Sequence, residues 1–252
     1  MKIGLIGYGR MGKEVERLAV ADGHEIVWIA DIPENASAGA LDAHSVQTVD
    51  VCIEFTEPGS AVDNITAVLK QNGKVVSGTT GWHHDVERLR SAFTFNHEAL
   101  VFGSNFSIGI HLFRHIIRQA STLMSALPDM YDVAIHEIHH RGKVDHPSGT
   151  ARDLGGILLE ELPTKLAVVS DLSQGRIEPE DLHVSSTRIG SVPGIHTVYF
   201  DSPFDTIELR HSARSRMGFA RGALLAAEWV KGRSGIFQFQ EVITSILKER
   251  SE

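Results

Sequence analysis

One cysteine in 252 residues is too few for an intrachain disulfide. That residue, Cys52, sits in the apolar run Val49-Asp50-Val51-Cys52-Ile53 and reads as a small buried hydrophobe rather than a reactive thiol. Positive charge is also short, with 24 Lys and Arg against 32 Asp and Glu, a formal charge of −8. That sign argues against nucleic acid as a partner, and an anionic ligand would have to be met by a local positive site. Nowhere do about 18 apolar residues follow one another, so no membrane span or membrane partner is expected. The N-terminal run Ile3 to Ile6 is too short for a secretory signal, and cytoplasm is the expected compartment. Internal repeats and low-complexity segments are absent too. What remains is 42% hydrophobic and 22% charged, a folded chain of one large domain or two modest ones.

The first half alternates strand and helix. Residues 3–6 form a short apolar strand, Gly7-Tyr8-Gly9-Arg10-Met11-Gly12 a turn, and Val15, Leu18 and Ala19 the apolar side of a helix. A second apolar run, Ile26 to Ala30, ends in Asp31. Further runs at 49–55, 74–77 and 100–103 are separated by helical segments at 61–70 and 85–92. This alternation predicts a parallel sheet. Beyond a boundary near Phe106 the texture changes. A helix through Leu112, Ile116, Ile117 and Ala120 is followed by a strand at 131–140, a helix at about 150–162, and strands at 182–188, 196–200 and 206–211. Helices at about 217–231, ended by Gly232, and near 240–248 close the chain. The fold class expected is α/β: a doubly wound parallel sheet, then an α+β domain.

Glycines after a first strand and before a first helix permit a tight turn and close approach of backbone to a pyrophosphate, with the helix N-terminus supplying N–H donors. Gly7, Gly9 and Gly12 have that context, and Asp31 follows the third glycine at the spacing of a ribose-binding acid. A dinucleotide cofactor is therefore expected. Asp31 would accept from the ribose hydroxyls and repel a 2′-phosphate, and Ile32 and Pro33 offer no compensating cation, so NADH is favoured. Arg10 in the loop leaves NADPH possible.

The segment from His136 to Ala151 concentrates acid–base and anion-binding groups. On a strand, His139 shares a face with Glu137, and His136 with His140, so the histidines do not gather about one metal, and none is expected. Thr150 followed by Asp153 resembles a capping box, which puts Ser148, Gly149 and Thr150 at a helix N-terminus able to receive a carboxylate. Lys143 adds a full charge. Together they suit a small carboxylic acid. His83, His84 and His146 are expected at the surface, and Trp82 in packing.

The run His139-His140-Arg141-Gly142-Lys143-Val144-Asp145-His146-Pro147-Ser148-Gly149-Thr150-Ala151 resembles the signature of the 4-hydroxy-tetrahydrodipicolinate reductase (dihydrodipicolinate reductase) family of lysine and diaminopimelate biosynthesis. The likeness extends over nearly the whole chain. It takes in Gly7 to Gly12, one residue shorter than the cofactor loop of many members, and Phe55-Thr56 and Gly78-Thr79-Thr80-Gly81 as nicotinamide-side loops. It also takes in Ser104-Asn105-Phe106-Ser107 as a hinge and Ser215-Arg216-Met217 as the start of the C-terminal helix. The resemblance implies a Rossmann domain of residues 1–106 completed by 216–252, and a substrate-binding and tetramerisation domain of residues 107–215 with a mixed sheet. It implies a homotetramer, domain closure, and hydride transfer from NADH or NADPH to C4 of a dicarboxylate ring with loss of water. By position, His139 is the implied proton donor and Lys143 the second catalytic or substrate-orienting residue. His140, Ser148, Gly149 and Thr150 would hold the two carboxylates. Gly7 to Gly12, Asp31, Phe55, Thr56, Gly78, Thr79, Thr80, Ser104, Asn105 and Phe106 would hold the cofactor. Two other readings stay open: a nicotinamide-dependent dehydrogenase of another small acid, and a non-catalytic NADH-binding redox sensor.

Overall fold

The computed structural model describes residues 1–31, 43–170 and 175–249; Ile32 and Pro33 lie outside them. Two compact units emerge, Met1–Ile108 with Arg216–Glu252, and Gly109–Ser215.

The first unit is built on a six-stranded sheet. Its order is β11 (Gly235–Gln238), β5 (Ala99–Phe102), β4 (Lys74–Ser77), β3 (Val51–Glu54), β1 (Lys2–Ile6), β2 (Glu25–Ala30), and every pairing is parallel. Parallel sheets are covered on both faces, so their strands read as continuous apolar runs. β3 and β5 are buried at every residue. Alternate side chains build two cores. Leu5, Ile53, Val76 and Val101 pack with α1 (Arg10–Ala21), α7 (Met217–Val230) and α8 (Phe239–Glu249), whereas Cys52, Val75 and Leu100 pack with α3 (Pro58–Lys70) and α4 (Val86–Ala92). α7 approaches the sheet through small side chains, Ala220, Ala223, Ala226 and Ala227, all fully buried. Cys52 is a free thiol that burial pushes up to about 12. α2 (Ala43–Gln47) and β11 are additions to the elements legible in the sequence.

The second unit holds a mixed five-stranded sheet of order β10 (Thr206–Ser212), β9 (Ile195–Asp201), β6 (Asp132–His139), β8 (Asp181–Arg188), β7 (Ala167–Val169). β6 runs parallel to β8 and antiparallel to β9. Phe113 and Ile117 of α5 (Ile108–Met124) and Leu154 and Leu158 of α6 (Gly149–Glu161) pack on Val133, Ile135, Leu182, Val184, Val198 and Phe200 from one face of the sheet. Among the described residues no helix is long and apolar enough to cross a membrane.

Candidate functional site

In the first unit the glycine turn joins β1 to α1. Gly7 has φ +89°, and a Cβ there would lie 2.2 Å from the Phe55 carbonyl oxygen; one on Gly12 would lie 2.3 Å from the Gly7 oxygen. Only glycine allows this close packing of turn, helix and neighbouring strand. Gly9 is different, for a Cβ there would meet nothing within 4 Å. It is the N-cap of α1, without a side-chain cap and without an acid in the first turn. The first N–H groups of the helix are thus left to an external acceptor such as a pyrophosphate.

Beside this turn is a cleft of about 330 Å³ that brings together Gly9, Arg10, Met11, Phe55, Thr56, Gly78, Thr79 and Thr80, with Pro58 as a further wall. Tyr8 meets Asp31 instead, its backbone N–H donating to the carboxylate at 2.8 Å, and its hydroxyl donates to Glu16. Ser104, Asn105 and Phe106 do not line the cleft. Asn105 Oδ1 accepts from the Ser107 N–H at 2.8 Å, and Phe106 is buried with its ring 4.5 Å from that of Phe239. His83 is half-buried rather than superficial, because its ring packs on Trp82 and Phe102, and burial pushes its pKa down.

Beneath the cleft is Glu54, fully buried at the end of β3. Its carboxylate accepts from the Thr56 N–H at 2.8 Å, from the Thr56 hydroxyl, from Ser77 Oγ at 2.5 Å and from Thr79 Oγ1 at 2.8 Å. One acid closing an otherwise apolar strand was the signal for it in the sequence.

In the second unit, strand alternation places Glu137 and His139 on the helix-covered face of β6, and His139 Nδ1 bonds Glu137 Oε2. Register supplies the rest. β8 sets Ser186 opposite Glu137 and Arg188 opposite His139, and β9 sets His196 opposite Glu137. Glu137 Oε1 accepts from Ser186 Oγ at 2.6 Å, Arg188 Nη2 at 2.7 Å and the Ser148 N–H at 3.2 Å. His196 Nε2 lies 3.2 Å from Ser148 Oγ, and its ring centroid is 5.1 Å from that of His139. His136 is on the other face, bonded to Thr187.

Charge follows geometry. Burial disfavours the Glu137 carboxylate, but hydrogen bonds from Arg188 and Ser186 and the charges of His139 and Arg188 outweigh it and hold the group at about 2. Burial pushes His139 below its usual value, with Glu137 pulling the other way. Burial, then the neighbouring His139, sends His196 down to about 3, so it is neutral at ordinary pH. Glu137, His139 and His196 bring three ligand-type atoms within 4.8 Å of one another, a gathering that the single-strand view had not foreseen because the third member comes from β9. The Arg188 guanidinium already on Glu137 opposes a metal cation there.

α6 starts at Gly149, and its cap is Ser148, whose Oγ accepts from the Ala151 N–H at 3.2 Å. The cap thus stands two residues before Thr150, and with Ala151 as the third helical residue no reciprocal box forms. Thr150 is already helical; Gly149 and Thr150 are the first helical residues. Lys143 Nζ lies 2.7 Å from Asp145 Oδ1, and His140 is exposed on the same loop. His139, Ser148, Gly149 and Thr150 therefore sit at one helix N-terminus, with Lys143 and the exposed His140 on the loop that leads into it. Ser186, Arg188 and His196 were missed; the only signal was a polar residue ending the apolar alternation Leu182, Val184, Ser186, Arg188.

A glycine-loop Rossmann sheet with an acid at the end of β2, and a second unit carrying a buried Glu–His pair beside a cationic helix N-terminus, define a nicotinamide-dependent oxidoreductase. Sequence comparison narrows this. Residues 1–106 match the dihydrodipicolinate reductase N-terminus and residues 109–243 its C-terminus. The chain belongs to the dihydrodipicolinate reductase family, NAD(P)H-dependent enzymes of diaminopimelate and lysine biosynthesis. It is 38% identical to the 4-hydroxy-tetrahydrodipicolinate reductase of Christiangramia forsetii over 98% of this chain and 100% of that one. The enzyme of the same name from Methanoregula boonei is 33% identical, over 93% of this chain and 94% of that one. Among solved structures, dipicolinate-bound dihydrodipicolinate reductase from Paenisporosarcina sp. TG-14 superposes with a TM-score of 0.75 at 21% identity, covering 96% of this chain and 98% of that one.

Proposed function

We propose that this chain reduces 4-hydroxy-tetrahydrodipicolinate to tetrahydrodipicolinate with His139 as proton donor. The reduction itself is the activity of its family. Loss of the hydroxyl with a ring hydrogen as water leaves a conjugated ring; hydride addition at C4 then leaves negative charge on that ring, and a proton delivered to it completes the reduction, so each turnover consumes one proton. The observation that carries the reading is the buried Glu137–His139 pair beside Lys143 and the start of α6. With Nδ1 committed to Glu137, His139 delivers its proton from Nε2. Lys143 stabilises the negative charge that hydride addition leaves on the ring. His140, Ser148, Gly149 and Thr150 hold the carboxylates. A dicarboxylate fits a site with a lysine and a helix N-terminus, and dipicolinate is bound in the Paenisporosarcina protein.

The cofactor belongs to the glycine loop and the cleft beside it, in the domain of residues 1–106 completed by 216–252; substrate belongs to residues 107–215. Bound reduced nicotinamide supplies the hydride. Asp31, anchored by the Tyr8 N–H, favours NADH, and Arg10 allows NADPH as the second cofactor. The family resemblance adds Ser104, Asn105 and Phe106 to the cofactor site, although in this structure they stand outside the cleft. The same reading includes a cytoplasmic homotetramer. Among the described residues, no helix of its own unit packs on the sheet face carrying Ala134, His136, Ile138, Ser185 and Thr187; that face would be buried between subunits, and sedimentation velocity reads the size of the oligomer.

The test is loss of absorbance at 340 nm with enzymatically generated substrate and NADH or NADPH in parallel. His139→Gln is expected to lower kcat by about 10²–10⁴-fold with little change in KM. An unchanged kcat removes His139 from the chemistry, and a lower KM for NADPH overturns the role of Asp31. A dehydrogenase of another acid leaves the His-His, Lys and Ser-Gly-Thr series without a purpose; a sensor would bind NADH without turnover.

A further inference from the structure

The loop that carries the substrate-binding groups also carries a carboxylate of its own. Asp145 Oδ1 lies 2.7 Å from Lys143 Nζ, and its Oδ2 is 3.7 Å from Arg152 Nη2 in the first turn of α6. The Lys143 hydrogen bond, only partly opposed by burial, holds the Asp145 carboxyl below its usual value, and the Lys143 charge and the Gly149 N–H at the start of the helix add to this. The position is fixed from behind, since Arg188 Nη2 donates to the Asp145 carbonyl at 2.7 Å as well as to Glu137. A lysine ammonium, a guanidinium and a helix N–H on one carboxylate are the groups by which a protein receives a carboxylate ligand. Here that carboxylate is already present.

We propose that the Asp145 side chain occupies the place of one substrate carboxylate, on Lys143 and the N-terminus of α6, and is displaced when the dicarboxylate binds. The inference rests on reading this site as the dicarboxylate site. Tethered competition of this kind keeps Lys143 oriented between turnovers, at the cost of apparent affinity: a site open for only a fraction of the time binds more weakly by that fraction. It also selects for ligands with two anionic groups, because a single carboxylate must displace Asp145 without a second contact to offset the loss.

Calorimetric titration of pyridine-2,6-dicarboxylate into the wild type, Asp145→Asn and Asp153→Asn tests this. Asp153 lies one turn into α6 and pairs with Arg114 at 3.6 Å, so its replacement removes the same charge without touching Lys143. Asp145→Asn is expected to bind about fivefold more tightly, the upper range for loss of a partly exposed ion pair, with Asp153→Asn unchanged. Equal or weaker binding by Asp145→Asn overturns the inference, and so does equal tightening by both variants, which would reflect net charge alone. A wild type that does not bind the dicarboxylate removes the substrate reading and the inference with it, whereas a wild type that binds and an Asp145 variant that binds no tighter removes the inference alone.

Discussion

Among the described residues each unit buries one glutamate completely, and the two are treated differently. Glu54 receives a backbone N–H and three hydroxyls, so among the described residues its hydrogen-bond donors are neutral. Glu137 receives a guanidinium, a histidine, a hydroxyl and a backbone N–H. A carboxylate satisfied by neutral donors fixes geometry; here it ties the loop after β3 to the loop after β4, holding Thr56 and Thr79 at the cleft beside the glycine turn. A carboxylate wired to titrating and cationic groups sets their charge as well. The lesson is that burial of an acid is not one function: its donors decide whether it shapes a loop or poises a proton.

Breaking the charged member should do the most damage. Glu137→Gln leaves Arg188 without its counter-ion and is expected to cost about 3–5 kcal/mol of stability, read by urea denaturation. In the fraction that stays folded, the high-pH limb of kcat/KM should move to lower pH, because Glu137 raises the His139 pKa and its loss lets burial depress it further. A limb that stays put would make Glu137 purely structural. Glu54→Gln puts an amide NH2 among hydroxyl donors and should cost about 1–3 kcal/mol, read as weaker NADH binding with dicarboxylate affinity intact. Loss of dicarboxylate binding instead would blur the contrast between the two acids.

A further contrast between the two units shows in acid. Glu137 falls from 4.5 unfolded to about 2, and His196 from 6.5 to about 3. Both folded values are depressed, so the stability these groups lend is whole above about pH 6.5 and drains away as pH falls through about 3 and 2. Hydrogen exchange should therefore show β6, β8 and β9 loosening in mild acid ahead of β1 and β3. Simultaneous loosening would mean that other groups govern acid stability.

The glycine turn and Asp31 were legible because the chemistry is local, a strand, a turn and a helix within one stretch of chain. So were Glu137 and His139 as face-mates, since alternation along one strand is a local rule. Arg188 and His196 were not, because only pairing across about fifty residues brings them to His139. β11 escaped notice for another reason. Gly235–Gln238 has only two large apolar residues, Ile236 and Phe237, too few to read as a run, and its strand character comes from pairing with β5. The cap of α6 was placed on Thr150 by a sequence pattern, whereas the Ser148 hydroxyl reaches the free Ala151 N–H first.

α7 has a consequence for the order of synthesis. Leu5, Ile53, Val76 and Val101 leave the ribosome long before Ala220, Ala223, Leu224 and Ala227, the side chains that cover their face of the sheet. The unit of residues 109–215 is contiguous and has its whole core as soon as it is translated. In the growing chain the later-made unit is thus the first that can be complete, and the first sheet waits for α7 with the face it shares with α1 only partly covered.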